Sequence, residues 1–470
     1  MKALEFMRRG TLVRVDEFAP DTMLLDYLRL TEKSKGTKEG CNEGDCGACT
    51  VVLGTPYNGG VRYQAVNACI LLLGQIHGKE LITVDDLARG GVLHPVQQAM
   101  VDAHASQCGF CTPGFVMSLF SLAHEDRKVS RQDVVEQIAG NLCRCTGYRP
   151  IIDAGLAACN KADDHWHKAQ AETCAALENI KGDLFVGDAN SFFAAPSHSE
   201  ALADLCASYP EATIVSGCTD VGLWINKQMR AQTKVIYTGA AHDFAQIVDH
   251  ADHISIGAGA TYADAFEALE KISPDFSVLL KRIGARQVRA SGTIGGNIAN
   301  GSPIGDMPPA LIALDATLHL RLGKAERTMK LEDFFIVYGK QDRKPGELVW
   351  HIDVPKPKSN QIFHCAKITK RRDDDISAVM GAFLLTFQNE RITAARIAYG
   401  GMAGTPKRAT KTEAALIGKT LQEAKHIVLD DYEPLSDMRA SAEYRTNVAN
   451  ALLQKALMQA AGEADLQVHV

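Results

Sequence analysis

Eight of the chain's thirteen cysteines lie in its first 145 residues and form two sets of four: Cys41, Cys46, Cys49 and Cys69, then Cys108, Cys111, Cys143 and Cys145. The first set runs Cys-x4-Cys-x2-Cys with a fourth cysteine further on, the plant-type [2Fe–2S] pattern. Gly40, Gly44 and Gly47 punctuate that loop, so backbone N–H groups can approach and face anionic sulfur. The second set, Cys-x2-Cys followed by Cys-x-Cys, also describes a structural zinc site. Its surroundings favour a cluster. Thr112-Pro113 reads as an N-cap and a first helical residue, Phe115, Leu119 and Leu122 continue at helical spacing, and Thr146-Gly147-Tyr148-Arg149-Pro150 opens another helix. Both cysteine pairs then precede helix N-termini, whose dipoles offset thiolate charge. With helices expected from Val96 to His104 and Arg131 to Ala139, the segment is a four-helix unit. Two four-cysteine sets imply two [2Fe–2S] centres and one-electron chemistry.

The 470 residues fit three or four domains, and the net charge of −6 gives no reason to expect nucleic acid. An odd cysteine count outside any small secreted scaffold argues for a reducing compartment. The N-terminal Met1 to Arg8 is too short and charged for a signal-peptide core, and no run reaches membrane-spanning length. A cytoplasmic protein without membrane contact is the expectation. Cys159, Cys174, Cys206, Cys218 and Cys365 read as structural thiols.

Residues 1–85 alternate short apolar runs (Thr11 to Val15, Thr50 to Leu53, Leu81 to Val84) with one early helix near Met23 to Leu30, a strand-and-helix domain. Residues 86–160 are helical. Residues 161–183, with Asp163, Asp164, His165, Trp166, His167, Lys168 and Glu172 and no long apolar stripe, read as a connector. His165 and His167 read as solvated there, not as metal ligands. From Leu184 strands and helices alternate again. Ile214, Val215 and Ser216 lead through Gly217, Cys218, Thr219 and Asp220 into a helix from Val221, a strand, tight turn and helix that suit an anion. A second glycine loop holds Thr293, Ile294, Gly295, Gly296 and Asn297, where paired glycines permit close backbone approach. Each loop alone could be an ordinary turn. Ile256 to Tyr262 imitates a dinucleotide fingerprint, but Tyr262 stands where a small residue belongs, and Gly418-Lys419-Thr420 lacks the first glycine of a P-loop.

The segments Gly40 to Thr50, Gln107 to Gly114 and Gly140 to Tyr148, in that order, resemble the xanthine dehydrogenase/aldehyde oxidase family of molybdenum hydroxylases, specifically its iron–sulfur/FAD subunit. The resemblance implies a multidomain α+β architecture: a plant-type ferredoxin-like domain (1–85), a four-helix [2Fe–2S] domain (86–160), the connector (161–183), an α+β FAD-binding domain of vanillyl-alcohol-oxidase type (184–358) and an α+β C-terminal flavoprotein domain (359–470). It implies FAD against Ile214 to Val221 and Thr293 to Asn297, with further contacts at Asp306, Val349 and Lys367. Lys367 would be a fixed cation favouring anionic reduced flavin, or else a surface ion pair. Lys370 to Ile376 matches a loop beside the flavin that reads otherwise as a solvated turn, and Tyr338 and Asp374 match positions near the nicotinamide of NAD+. Cys218 and Ile283 depart from the family pattern near the flavin.

The resemblance further implies a division of labour. A molybdopterin-binding large subunit would oxidise hypoxanthine and xanthine to urate, in a heterotetramer of two small and two large chains. Electrons would pass through the Cys108/Cys111/Cys143/Cys145 cluster, then the Cys41/Cys46/Cys49/Cys69 cluster, to FAD and NAD+. The 470 residues leave no room for a molybdenum domain, so substrate oxidation is expected on the partner. Two alternatives stay open: the same role in an aldehyde or N-heterocycle hydroxylase, and a zinc-stapled scaffold without redox chemistry.

Overall fold

The structure is a computed structural model and describes residues 3–160, 164–180 and 182–462. It forms two compact units, one comprising the described residues up to His242 with Gly284–Gly292, the other Asp243–Ile283 and the described residues from Thr293 onward.

In the first unit, Leu4–Arg8 (β1) buries every second side chain, the alternation of a half-covered strand. It pairs antiparallel with Thr11–Val15 (β2) and parallel with Glu80–Ile82, while Thr50–Tyr57 (β3) and Gly60–Asn67 (β4) form a hairpin. With Glu80–Ile82 as β5, the order is β2-β1-β5-β3-β4. The expected early helix is a short Leu24–Asp26 turn that opens into a wider one, where Glu32 N–H reaches Tyr27 O.

Four helices follow: Pro95–Asp102, Thr112–Ala123, Arg131–Ile138 and Arg149–Ala158. Every residue from Gly114 to Ala123 is buried, so Thr112–Ala123 is the central helix, apolar all round as such a position requires. Gly155 lets Arg149–Ala158 cross it closely, since a Cβ there would lie 2.8 Å from Leu119 and from Val134. One expected cap moves. Cys111 occupies the N-cap, Thr112 is the first helical residue, and the Thr112 hydroxyl pairs with Ser106 Oγ at 2.8 Å.

Where the sequence suggested an open connector, His165–Glu178 is a helix capped by Asp164. Asp163 and the rest of 161–163 lie outside the described residues. Trp166 is 3% exposed and Cys174 is buried, both in the core of the four helices. Its three buried side chains, Trp166, Cys174 and Leu177, are too few to read as a stripe. Next come Leu184–Gly187 (β6), Phe192–Ala195 (β7), Thr213–Val215 (β8) and Lys234–Tyr237 (β9), in the order β6-β7-β9-β8. Residues 184–242 therefore group with the iron–sulfur half although the FAD-binding segment was expected to run to 358. The reason is a shared core: Phe193 packs so tightly on the first domain that a Cβ on Gly74 would meet its ring at 2.3 Å.

The second unit holds Ile247–Asp249 (β10), His253–Gly257 (β11), Thr317–Leu322 (β12), Ala325–Lys330 (β13), the Phe335–Val337 (β14) and Lys340–Gln341 (β15) hairpin, and Leu348–Pro355 (β16). Its five-stranded sheet has the order β10-β11-β16-β12-β13. Gly257 to Thr261 is a strand-to-helix turn, with Thr261 and Asp264 forming a capping box. Gln361–Ile368 (β17), Val379–Gln388 (β18), Arg391–Gly400 (β19) and Lys407–Arg408 (β20) make an antiparallel sheet. The Ala442–Ala460 helix backs it, and Tyr399, fully buried, donates its hydroxyl to Ala449 O. No helix among the described residues is long and apolar enough to cross a membrane.

Trp166→Ala removes a fully packed indole, so it is expected to cost about 3–5 kcal/mol. Denaturant unfolding followed by circular dichroism measures this; a loss below ~1 kcal/mol would fit a loosely tethered connector instead.

Candidate functional site

The cysteine loop of the first set is shaped by left-handed residues, Asn42, Gly44 and Gly47 among them. That winding turns backbone donors inward: Cys41 N–H points at Cys46 Sγ (3.2 Å) and Cys46 N–H at Cys41 Sγ (3.3 Å). A Cβ on Gly40 would lie 2.7 Å from Cys46 Sγ. Cys41 faces Cys46 and Cys69, and Cys69 also faces Cys49. Asn67 holds the loop by donating to Gly44 O at 2.9 Å.

In the second set Cys111 faces Cys143 and Cys145 faces Cys108. Cys143 Sγ accepts from the N–H of Cys145, the N–H of Thr146 and the hydroxyl of Thr146 (3.2–3.4 Å), and Cys143 N–H donates to Tyr148 Oη. Such donors stabilise anionic sulfur. The sulfurs of the first set thus follow one another as Cys46, Cys41, Cys69 and Cys49, and those of the second face as Cys111 with Cys143 and Cys108 with Cys145. Among the described residues, the groups of three or more His, Cys, Asp or Glu ligand atoms lying mutually within 4.8 Å are two, and both consist of His and Asp. A zinc tetrahedron with Zn–S near 2.3 Å would bring all four sulfurs to about 3.8 Å of one another. Among the described residues, neither cysteine set gathers three sulfurs that closely.

The two sets meet through backbone. Leu142, next to Cys143, donates its N–H to Cys46 O at 3.0 Å. Asn141 donates through Nδ2 to Gly47 O, and its Oδ1 accepts from Ser118 and Gln287. Gly47 and Gly114 make this approach possible: a Cβ on Gly47 would lie 2.1 Å from Gly140 O, and one on Gly114 2.2 Å from Gly47 O.

The loop expected to meet FAD in the first unit adjoins the first set. Cys218 is buried at φ +62°, and burial pushes its thiol up to about 12. Ile214 and Val215 are in β8, and Ser216 O accepts from Gln75. Gly217 is needed by protein packing, since a Cβ would meet Ser291 O at 2.1 Å. Thr219 and Asp220 lead into the Val221–Asn226 helix, whose Gly222 rests on Ile70. At the end of this helix Asn226 donates to Cys69 O (2.6 Å) and Lys227 to Cys41 O (2.6 Å), with Glu43 3.4 Å from Lys227 Nζ. Sequence spacing gave no sign of this clamp, because its partners are more than 150 residues away.

In the second unit Thr293 caps the Ile294–Asn300 helix by accepting from Gly296 N–H. Gly295 packs on Ala258, where a Cβ would fall 2.3 Å away, so here too the glycine serves protein contact. Asn297 Oδ1 is buried without a protein partner, which leaves one acceptor for a ligand group. Val349 is buried in β16. Lys367 differs from both expectations. It is 3% exposed and its ammonium has three partners: Asp306 Oδ2 (2.8 Å), Arg282 O (2.9 Å) and Asp375 O (3.0 Å). Asp306 also accepts from Ser377. A saturated, neutralised ammonium is an internal strut and not a bare cation. Arg282, beside Ile283, donates to Lys367 O, Thr369 Oγ1 and Arg372 O, so the 370–376 loop is pinned where a solvated turn was expected. Asp374 takes φ +49° within it, and Tyr338 is 76% exposed in the β14–β15 turn.

Four domain families match the chain in sequence order: a 2Fe-2S iron-sulfur cluster binding domain at residues 7–72, a [2Fe-2S] binding domain at 83–156, the FAD binding domain in molybdopterin dehydrogenase at 189–357, and the CO dehydrogenase flavoprotein C-terminal domain at 364–460. Xanthine dehydrogenase of Emericella nidulans is 31% identical over 88% of this chain and 35% of its own length. The chain belongs to the xanthine dehydrogenase/aldehyde oxidase family. Another family member, aldehyde oxidase 2 of Rattus norvegicus, is 28% identical over 94% of this chain and 38% of its own length. The chain thus spans a little over a third of these family members. Reconstituted CO dehydrogenase from Oligotropha carboxidovorans superposes with TM-score 0.53 at 26% identity, over 59% of this chain and 99% of that one. The iron–sulfur and FAD domains resemble the electron-transfer part of xanthine dehydrogenase and of related molybdenum hydroxylases.

Two outcomes are expected. Gly47→Ala sets a side chain at φ +67° against Gly140 O, so iron per chain should fall well below that of the parent; full iron content would mean the approach is dispensable. Asp306→Ala strands a buried ammonium and should cost about 3–5 kcal/mol, whereas joint replacement of Asp306 and Lys367 by Leu and Met should cost much less. Denaturation midpoints of the two variants separate these cases.

Proposed function

We propose that the chain is the electron-transfer subunit of an NAD-dependent xanthine dehydrogenase, assembled as two small and two large chains. A molybdopterin-binding partner would oxidise hypoxanthine and xanthine to urate. The observation that carries this reading is the gathering of sulfurs within each cysteine set, with backbone N–H groups turned on Cys41, Cys46 and Cys143, in a chain with a flavin-binding domain family. When bound, two [2Fe–2S] centres supply one-electron transfer and FAD couples it to a two-electron exchange.

The residues divide the work. Cys41, Cys46, Cys49 and Cys69 would ligate one centre, and Cys108, Cys111, Cys143 and Cys145 the other. The N–H groups of Cys41, Cys46, Cys145 and Thr146 stabilise sulfur charge. Leu142 and Asn141 keep the two sets in register, and Asn226 and Lys227 hold the carbonyls of Cys69 and Cys41. Ile214 to Val221 and Thr293 to Asn297 would contact FAD, with Asn297 Oδ1 accepting from it. Lys367 and Asp306 would fix the Lys370 to Ile376 loop, with Asp374 and Tyr338 serving NAD+. Five sealed thiols, Cys159, Cys174, Cys206, Cys218 and Cys365, stay out of the chemistry.

The likeness to aldehyde oxidase keeps an aldehyde-oxidising complex as the second reading, and a substrate and acceptor screen on the complex with its partner decides between them. For the chain itself, Cys145→Ser should abolish one of two electron paramagnetic resonance signals of the reduced protein while flavin content stays unchanged. Equal loss of both signals from a folded protein would count against two separate centres. Expressed alone, the chain should not hydroxylate xanthine.

A further inference from the structure

The helix found in place of a connector completes a buried polar cluster. Asp164 is 5% exposed at its side chain, and three imidazoles converge on it: His94 Nε2 at 2.6 Å, His124 Nε2 at 3.1 Å and His167 Nδ1 at 2.9 Å. Their protons can be placed. Val96 N–H donates to His94 Nδ1, so His94 Nε2 carries hydrogen and donates to Asp164. His124 Nδ1 lies 2.8 Å from Phe120 O, which can only accept, so Nδ1 is the protonated nitrogen. A neutral His124 therefore turns a bare lone pair on the Asp164 carboxylate. Phe120 and Trp166, whose rings lie 5.0 Å apart, and Tyr63, whose ring lies 5.1 Å from that of His124, wall the cluster. Two facing acceptors there require a positive charge between them.

A proton on His124 would supply that charge; the surroundings suit a metal ion better. The ligand atoms of His124, Asp164 and His167 lie mutually within 4.8 Å. Zinc bound at about 2.0–2.1 Å separates neighbouring donors by roughly 3.3 Å in a tetrahedron, so the two carboxylate–imidazole distances of 2.9–3.2 Å need to open only slightly, while the His124 and His167 rings, stacked with centroids 4.2 Å apart, must turn for both to face one ion. The outer partners of a metal site are in place. The second nitrogen of His124 donates to a backbone carbonyl, and the carboxylate receives His94. His167, 29% exposed, borders solvent, from which a water would complete the coordination.

We propose that His124, Asp164 and His167 bind one divalent transition-metal ion that staples the C-terminus of the Thr112–Ala123 helix to the N-terminus of His165–Glu178. The site is separate from both cysteine sets and does not rest on their assignment. Its position gives it a structural role: Cys111 caps the other end of the Thr112–Ala123 helix.

The test uses the full-length protein with its iron, treated with a mild chelator and dialysed against micromolar zinc sulfate. About one zinc per chain is expected beyond the iron. Zinc-edge X-ray absorption should show nitrogen and oxygen near 2.0 Å and no sulfur near 2.3 Å. His167→Ala, at the solvent rim, and His124→Gln should each lower bound zinc at least tenfold. His319→Asn, in the half-exposed His319/His351/Asp353 group, should retain it. Zinc should raise the melting midpoint of the parent by several degrees and not that of His167→Ala. No retained zinc, or zinc unaffected by His167→Ala, overturns the proposal and leaves a protonated His124. Sulfur-coordinated zinc overturns it too, and would point instead at the cysteine sets.

Discussion

One backbone hydrogen bond, from Leu142 N–H to Cys46 O, ties the ferredoxin-like domain to the four-helix domain beside the cysteines themselves. Its geometry dictates much around it. Gly47 and Gly114 must lack side chains for the chains to meet, and Asn141, Ser118, Thr50 and Gln287 must satisfy the polar groups sealed inside the contact. Each stranded donor or acceptor in such a sealed network costs about 1–3 kcal/mol, and Gln287 Oε1 is one acceptor that this network leaves without a hydrogen-bond partner. Arg286 extends it, with Glu125 and Gln137 as partners. The 284–292 segment thus belongs with the iron–sulfur half although it lies far along the chain.

The cysteine sets were legible because ligand spacing is local: a loop of nine residues and two close pairs advertise themselves. The helices around them were legible for the same reason, and Pro95–Asp102 and Arg131–Ile138 lie within a few residues of where apolar spacing puts them. Misreadings came where meaning depends on distant residues. His165 to Glu178 reads as solvated until Trp166 finds Phe120. Gly217 and Gly295, read as phosphate-loop glycines, carry a second requirement that spacing does not show, since each is also approached closely by backbone from elsewhere.

Lys367 shows the same limit in charge. A lysine matched to a flavin-side position invites a role as a free cation, but one carboxylate and two carbonyls already take its ammonium. What this residue does follows from its partners, and none of them is near it in sequence except Asp375. Asn226 and Lys227 are the converse, unremarkable residues that become polar neighbours of the first cysteine set once the chain folds.

The two cysteine sets differ in how they meet solvent. Cys49 and Cys69 are buried, while Cys108 and Cys145 are exposed. Reactivity of sulfur follows access as well as charge. Ageing in air should therefore be lopsided, beginning at Cys108 and Cys145 on the open rim of the second set and reaching Cys49 and Cys69 last. The molecule carries its own shelf-life gradient, written in which sulfurs the fold chose to cover.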